Sequence, residues 1–195
     1  CSGYVYGLSS IISFMREHGM KKGVLFTCDP YSKIIDPDDR GTALLFGDAA
    51  TATLIDEIPQ FVPGKFSFGT LGKKSGEISL INDRLFMNGQ AVVKFVKRYI
   101  PSDVRKTVSI NGLSLEQIDR FVFHQGSRFV VDIITEDLGI PLEKVPFDIS
   151  DYGNTVSSSI PIILEKEMEK PENRILLFSG FGIGLSWGSC VLNRI

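Results

Sequence analysis

Three polar residues stand where this chain passes from one element to the next: Cys1, His124 and Asn154. Cys1 opens the run Cys1-Ser2-Gly3-Tyr4-Val5-Tyr6-Gly7, directly before an apolar helix. The unpaired N–H groups and dipole of a helix start stabilise a thiolate, so a cysteine there can be nucleophilic near neutral pH. It can equally be a small buried hydrophobe. His124 closes the apolar run Phe121-Val122-Phe123, and the carboxyl end of a parallel strand is where α/β folds place their active sites. The alternative is a hydrogen-bonded core histidine. Asn154, in Tyr152-Gly153-Asn154-Thr155, also reads as a turn and helix cap. His18, near a helix end, reads as a solvated residue.

The elements that must position these residues follow from periodicity. Tyr4, Leu8, Ile11 and Met15 predict a helix over 3–18, stopped by Gly19. Gly23 to Cys28 and Thr51 to Asp56 read as strands, separated by a charged, turn-rich segment that contains Asp39-Arg40-Gly41. Phe61, Val62, Phe66 and Phe68 suggest a strand within a loop-rich connection. A helix is expected from Asn88 to about Ile100, interrupted at Pro101, with a further helix through Val104 and Val108. Ser114 to Gln117 is a capping-box pattern. Strands at 121–123, 145–147, 174–178 and 187–192 alternate with helices at 127–138 and from 155 to about 170. A tight loop is expected at Gly180 to Gly184. This alternation predicts an α/β fold with a largely parallel sheet. A faint repeat of helix, strand, turn, strand links 3–56 with 155–193, and divides the chain into 1–57 and 58–195.

The totals bound the function. The chain has 195 residues, 43% of them hydrophobic, with 21 basic and 23 acidic residues and a net charge of −2. That is enough for a sizeable core, and the even charge argues against a general nucleic-acid or membrane-surface binder. No apolar run reaches the length of a membrane span. The cysteines Cys1, Cys28 and Cys190 lack metal-ligand spacing and read as reduced thiols of a cytoplasmic protein.

Several motifs, taken in order, resemble the thiolase-like condensing enzymes, specifically the β-ketoacyl-acyl-carrier-protein synthase III family. They are Cys1 to Gly7, Asp39-Arg40-Gly41-Thr42, Phe46-Gly47-Asp48-Ala49-Ala50, Met87-Asn88-Gly89, His124-Gln125, Gly153-Asn154-Thr155 and Gly182-Ile183-Gly184-Leu185-Ser186-Trp187-Gly188. The resemblance implies a layered α-β-α-β-α fold of two similar halves, each with a five-stranded mixed sheet. Only the closing helix and two strands of the first half fall within residues 1–57. The expectation is therefore that Cys1 belongs to a longer enzyme whose upstream portion precedes it.

The resemblance also implies an acyltransferase. Cys1 takes an acyl group from acyl-CoA, and His124 with Asn154 assists loss of carbon dioxide from a malonyl thioester, giving a 3-oxoacyl thioester as in fatty-acid initiation. The backbone N–H groups of Cys1 and of Gly182, Ile183 and Gly184 would form the oxyanion hole. Arg40, Gly89, Val93 and Ser127 would contact the coenzyme A or pantetheine. Lys94 and Arg128 would meet malonyl-acyl carrier protein, with Lys97, Arg98 and Arg105 extending a basic patch. A homodimer is expected, and no metal or redox cofactor. Ser127, Val93, Arg128 and Ile183 depart from the usual family residues, which bears on the choice of donor and carrier. The alternatives are a chalcone-synthase-like polyketide condensation, an N-terminal-nucleophile amidohydrolase that uses the Cys1 amine as base, and a non-catalytic paralogue.

Overall fold

A computed structural model describes residues 1–195. In chain order the elements are α1 (Gly3–Glu17), β1 (Lys22–Cys28), α2 (Arg40–Ala43), β2 (Ala50–Asp56), β3 (Phe61–Pro63), β4 (Ser67–Thr70), β5 (Ile78–Ile81), β6 (Arg84–Met87), α3 (Gly89–Ile110), β7 (Arg120–Phe123), α4 (Arg128–Leu138), α5 (Ser159–Met168), β8 (Ile175–Gly182) and β9 (Ser186–Arg194).

Side-chain alternation on three of these strands sets the layering. Phe121 and Phe123 of β7, Leu177 of β8 and Val191 of β9 face one way, into a core shared with Val96, Ile100 and Val104 of α3 and Ile134 of α4. Val122, Leu176, Phe178, Cys190 and Leu192 face the other way, against Tyr4, Val5 and Leu8 of α1 and Ile160, Ile163 and Leu164 of α5. Phe121, Phe123 and Phe178 are fully buried, and each such side chain contributes roughly 1.5–3 kcal/mol of transfer free energy. Leu25 of β1 and Ile55 of β2 pack on the outer side of the α1–α5 layer. The order is thus α3/α4, sheet, α1/α5, then the β1–β2 pair: four consecutive layers of the expected α-β-α-β-α sandwich.

The sheet corrects one expectation. Its order is β3-β9-β8-β7, with β4 also paired to β9. Only β7 and β8 run parallel, and every other pair is antiparallel. The sheet is mixed, as the family resemblance implies, and not largely parallel. The strands still read as continuous apolar runs because helices cover both faces. That made them look like parallel strands.

Three boundaries also differ. Pro101 does not interrupt α3, which runs unbroken for 22 residues. An interior proline removes a backbone bond and costs about 3 kcal/mol; here Ile100 and Val104, both fully buried, hold the helix against the sheet on either side of it. Val145 to Phe147 is loop rather than strand. The expected loop at 180–184 is shorter, because β8 continues to Gly182. An additional hairpin, β5–β6, turns at Asn82 and Asp83, both with positive φ, the requirement of a two-residue hairpin loop. No helix is long and apolar enough to cross a membrane.

Candidate active site

Cys1 sits between the start of α1 and the carboxyl end of β8. The two glycines there leave the room it occupies. A Cβ on Gly182 would stand 2.6 Å from Cys1 Cβ and 2.9 Å from its Sγ, and one on Gly180 would stand 2.9 Å from the Cys1 carbonyl oxygen. Ser2, at the helix cap, gives α1 no side-chain cap. Its hydroxyl instead pairs with Ser186 Oγ at 2.7 Å, and Ser186 donates to the Ile183 carbonyl at 2.8 Å. This short chain ties the cysteine to the β8–β9 turn. The first N–H groups of α1 keep their positive field for an anion at the sulfur.

His124 follows β7 and is 2% exposed. Its N–H donates to the Ser179 carbonyl of β8 at 2.8 Å. Ser159 Oγ, at the start of α5, lies 2.8 Å from the ring Nδ1, and the edge of Phe181 packs on the ring, with centroids 5.5 Å apart. With Nδ1 held from behind, Nε2 is the nitrogen left to serve the cavity. Burial, the main cause, pushes the imidazole down to about 3. The ring is therefore neutral through the physiological range.

Asn154 is held on both sides of its backbone. Its N–H donates to the Leu45 carbonyl at 2.8 Å, and its carbonyl accepts from Gly47 N–H at 3.0 Å. This isolated parallel bridge at Phe46 requires a glycine at 47, since a Cβ there would stand 1.7 Å from the Tyr152 carbonyl oxygen. The Asn154 side-chain oxygen accepts from Val156 N–H at 2.9 Å. That contact fixes the amide orientation and leaves the NH2 group as a donor. Val156 pays conformationally: it is a buried β-branched residue with φ of 56°, a conformation such residues rarely adopt.

These three residues line one mostly apolar cavity of about 130 Å³. Gly182, Ile183, Gly89, Val93 and Ser127 line it too. Ser127 has a second task, as its Oγ accepts from Val130 N–H at 3.3 Å and caps α4. The cavity wall also includes Phe46, Met87 and Phe181, from segments the sequence had singled out, and Tyr31 and Ile78, for which it offered no signal. Tyr31 stacks on Phe46 with centroids 4.9 Å apart, and burial, with the charge of Asp29, pushes its phenol up to about 12. Gln125 is a further positioning residue. It is buried, donates to the Phe123 carbonyl at 2.8 Å and accepts from Asp148 N–H at 3.3 Å, which ties the loop after β7 to the loop before Asn154.

Two models for one family match this chain: 3-oxoacyl-[acyl-carrier-protein (ACP)] synthase III over residues 1–70, and its C-terminal part over residues 108–194. The chain belongs to the β-ketoacyl-[acyl-carrier-protein] synthase III family. It is 32% identical to the synthase III of Acholeplasma laidlawii, covering 99% of this chain and 63% of that protein. It is 30% identical to that of Lactococcus lactis subsp. cremoris, covering 99% and 66%. The fold superposes on the crystal structure of the Thermus thermophilus synthase III with a TM-score of 0.92 at 30% identity, covering 100% of this chain and 66% of the other. For the Aquifex aeolicus enzyme the TM-score is 0.93 at 28% identity, covering 100% and 65%. The chain therefore spans less than two thirds of the length of these relatives.

Four of the synthase-like candidate residues lie outside the cavity. Gly184 is in the β8–β9 turn with φ of 132°, a conformation open to glycine alone. Arg40 opens α2 and is exposed. Arg128 pairs with Asp132 at 2.9 Å and lies over the Phe147 ring. Lys94 lines an adjoining hollow together with Arg98, Lys73 and Lys74. The two last lysines were not anticipated. Glu77 lines the same hollow and engages Lys74 at 3.2 Å, and Arg105 lies outside it, paired with Asp137 at 2.9 Å.

Proposed function

We propose that this protein is an acyltransferase that carries out a decarboxylative condensation. The observation that carries this reading is the convergence on one apolar cavity of a cysteine at a helix start, a neutral buried histidine and an asparagine whose amide NH2 is left free to donate.

The chemistry proceeds in two halves. The Cys1 thiolate attacks the carbonyl of an acyl-CoA, and the coenzyme A thiol departs with one proton, leaving an acyl thioester on Cys1. The oxyanion formed on the way is served by the backbone N–H of Cys1 and those of Gly182 and Ile183. A malonyl thioester then enters the same cavity. As its C–C bond to the carboxylate breaks, carbon dioxide leaves and negative charge gathers on the thioester oxygen. Asn154 Nδ2–H and His124 Nε2–H donate to that oxygen, and each such donor is typically worth about 3 kcal/mol of barrier. The resulting carbanion attacks the acyl-Cys1 carbonyl, the new C–C bond forms, and the Cys1 thiolate leaves. The product is a 3-oxoacyl thioester. No step calls for a metal or redox cofactor. An apolar cavity suits the step, because losing the malonyl carboxylate's hydration favours its departure as carbon dioxide.

Malonyl-acyl carrier protein is the proposed second substrate, docking against Lys73, Lys94 and Arg98. Arg40, exposed at the start of α2, is the residue we propose for the coenzyme A nucleotide. A homodimer working in the cytoplasm completes the reading. Against an amidohydrolase stands the family membership, and such an enzyme would leave His124 and Asn154 without a task. The test is to supply acyl-CoA and malonyl-acyl carrier protein to the intact protein and measure the 3-oxoacyl product. Formation of product that depends on His124 and Asn154 is expected; hydrolysis of acyl-CoA with no carbon–carbon bond formed would refute the proposal.

A further inference from the structure

Ser159 occupies an unusual position behind His124. It is 3% exposed, and its hydroxyl touches three polar groups at once. Gln125 N–H donates to it at 3.3 Å. The Val156 carbonyl lies 3.1 Å away and His124 Nδ1 2.8 Å away. A serine hydroxyl has one proton to give. The Gln125 N–H can only donate and the Val156 carbonyl can only accept, whereas Nδ1 can do either.

The site therefore has two proton arrangements. In the first, Ser159 donates to the Val156 carbonyl and accepts from Nδ1–H. A neutral His124 then presents a bare Nε2 to the cavity, an acceptor able to take the Cys1 thiol proton and return it to the departing coenzyme A. In the second, the hydroxyl turns to donate to Nδ1. The ring proton then resides on Nε2, which becomes a donor to the enolate oxygen. By accepting the Ser159 proton at 3.1 Å, the Val156 carbonyl favours the first arrangement. Without a donor at position 159, nothing on this side of the ring favours the second arrangement.

We propose that Ser159 is a positioning residue whose hydroxyl selects the tautomer of His124, allowing Nε2 to accept in the acyl-transfer half and donate in the condensation half. The inference rests on the condensing reading for its two halves, but the tautomer can be read without any turnover. The change from one tautomer to the other needs no net proton: Nε2 takes one up from solvent and Nδ1 releases one to solvent.

The experiment is 15N NMR of the imidazole in the intact protein at neutral pH. The chain has two histidines, so His18→Gln leaves a single ring to observe. The expected result is a mixture of the two neutral tautomers in the parent, collapsing to the Nδ1–H form alone in Ser159→Ala. Ser159→Thr, which keeps the hydroxyl, restores the mixture. In parallel, Ser159→Ala is expected to lower malonyl decarboxylation at least tenfold while acyl transfer to Cys1 stays within about twofold. Identical tautomer populations in the parent and Ser159→Ala would overturn the proposal, as would equal losses in both halves. If the parent protein neither takes up an acyl group nor decarboxylates malonyl thioesters, the condensing reading fails, and the tautomer comparison still decides the role of Ser159.

Discussion

The side-chain oxygen of Asn154 is committed to Val156 N–H at 2.9 Å, so the carboxamide can offer the cavity only its NH2 group. Holding Val156 at positive φ costs on the order of 1–3 kcal/mol, a cost characteristic of residues that orient a working group. Asn154→Asp keeps the acceptor for Val156 and removes the donor. Decarboxylation is expected to fall by about 10²–10³, with acyl transfer to Cys1 retained. Carbon dioxide release and the mass of the acylated protein, measured on the same variant, check the split; equal loss of both would place Asn154 in a structural role.

Gly182 leaves no room for a side chain beside the sulfur. Gly182→Ala is expected to push Cys1 away from the β8 end while the sheet stays intact, since neighbouring strand positions carry large side chains. A displacement of about 1 Å can cost on the order of 10² in rate, and the acyl-transfer half should show it. An unchanged rate of acylation would mean that the sulfur does not work from this position.

His124 gives the folded state a pH dependence. Its imidazole is held down to about 3 from an ordinary 6.5, chiefly by burial. Between those values the unfolded chain binds one proton more than the native one. Stability is therefore whole above about 6.5 and declines as pH falls, with a slope of ~1.4 kcal/mol per pH unit from this group, the loss being complete near 3. His124→Asn should flatten the decline between pH 6.5 and 4.5. Chemical denaturation of both proteins across that range measures it, and parallel curves would contradict the burial of a neutral ring.

Gly47 supports the site at one remove. A Cβ there would collide with the Tyr152 carbonyl, and the same backbone holds Asn154 through its N–H bond at 3.0 Å. Gly47→Ala should cost about 1–3 kcal/mol of stability and lower decarboxylation as well. A thermal melt with a decarboxylation assay tests the pair; a stable variant with normal activity would show that the bridge does not position Asn154.

Cys1, His124 and Asn154 were legible as candidates because each stands at an element boundary. Each alone also reads as structural, and it is the order of the family motifs that joined them; the structure brings all three to one cavity. Part of the cavity wall was not legible. Tyr31 and Ile78 reach it from separate segments, and no short-range pattern links them. Strand direction was misread for a physical reason: β8 and β9 are covered by helices on both faces, so they lack the alternation that marks a one-sided antiparallel strand. Pro101 looked like a stop because local propensity forbids it, and packing of Ile100 and Val104 prevailed. Asn82-Asp83 did carry a turn signal for β5–β6, but the flanking strands are short and half exposed. The contacts of Ser159 were beyond reach, since they join residues 35 positions apart.

The central claim is that Cys1 carries the acyl group between the two halves of the reaction. Intact mass spectrometry of the protein after exposure to acyl-CoA, followed by peptide mapping, tests it most directly. One acyl group per chain, on the peptide that contains Cys1, discharged when malonyl-acyl carrier protein is added and absent from Cys1→Ser, is the predicted result. An unmodified Cys1, or an acyl group that is discharged by water alone and not by the malonyl thioester, would contradict it.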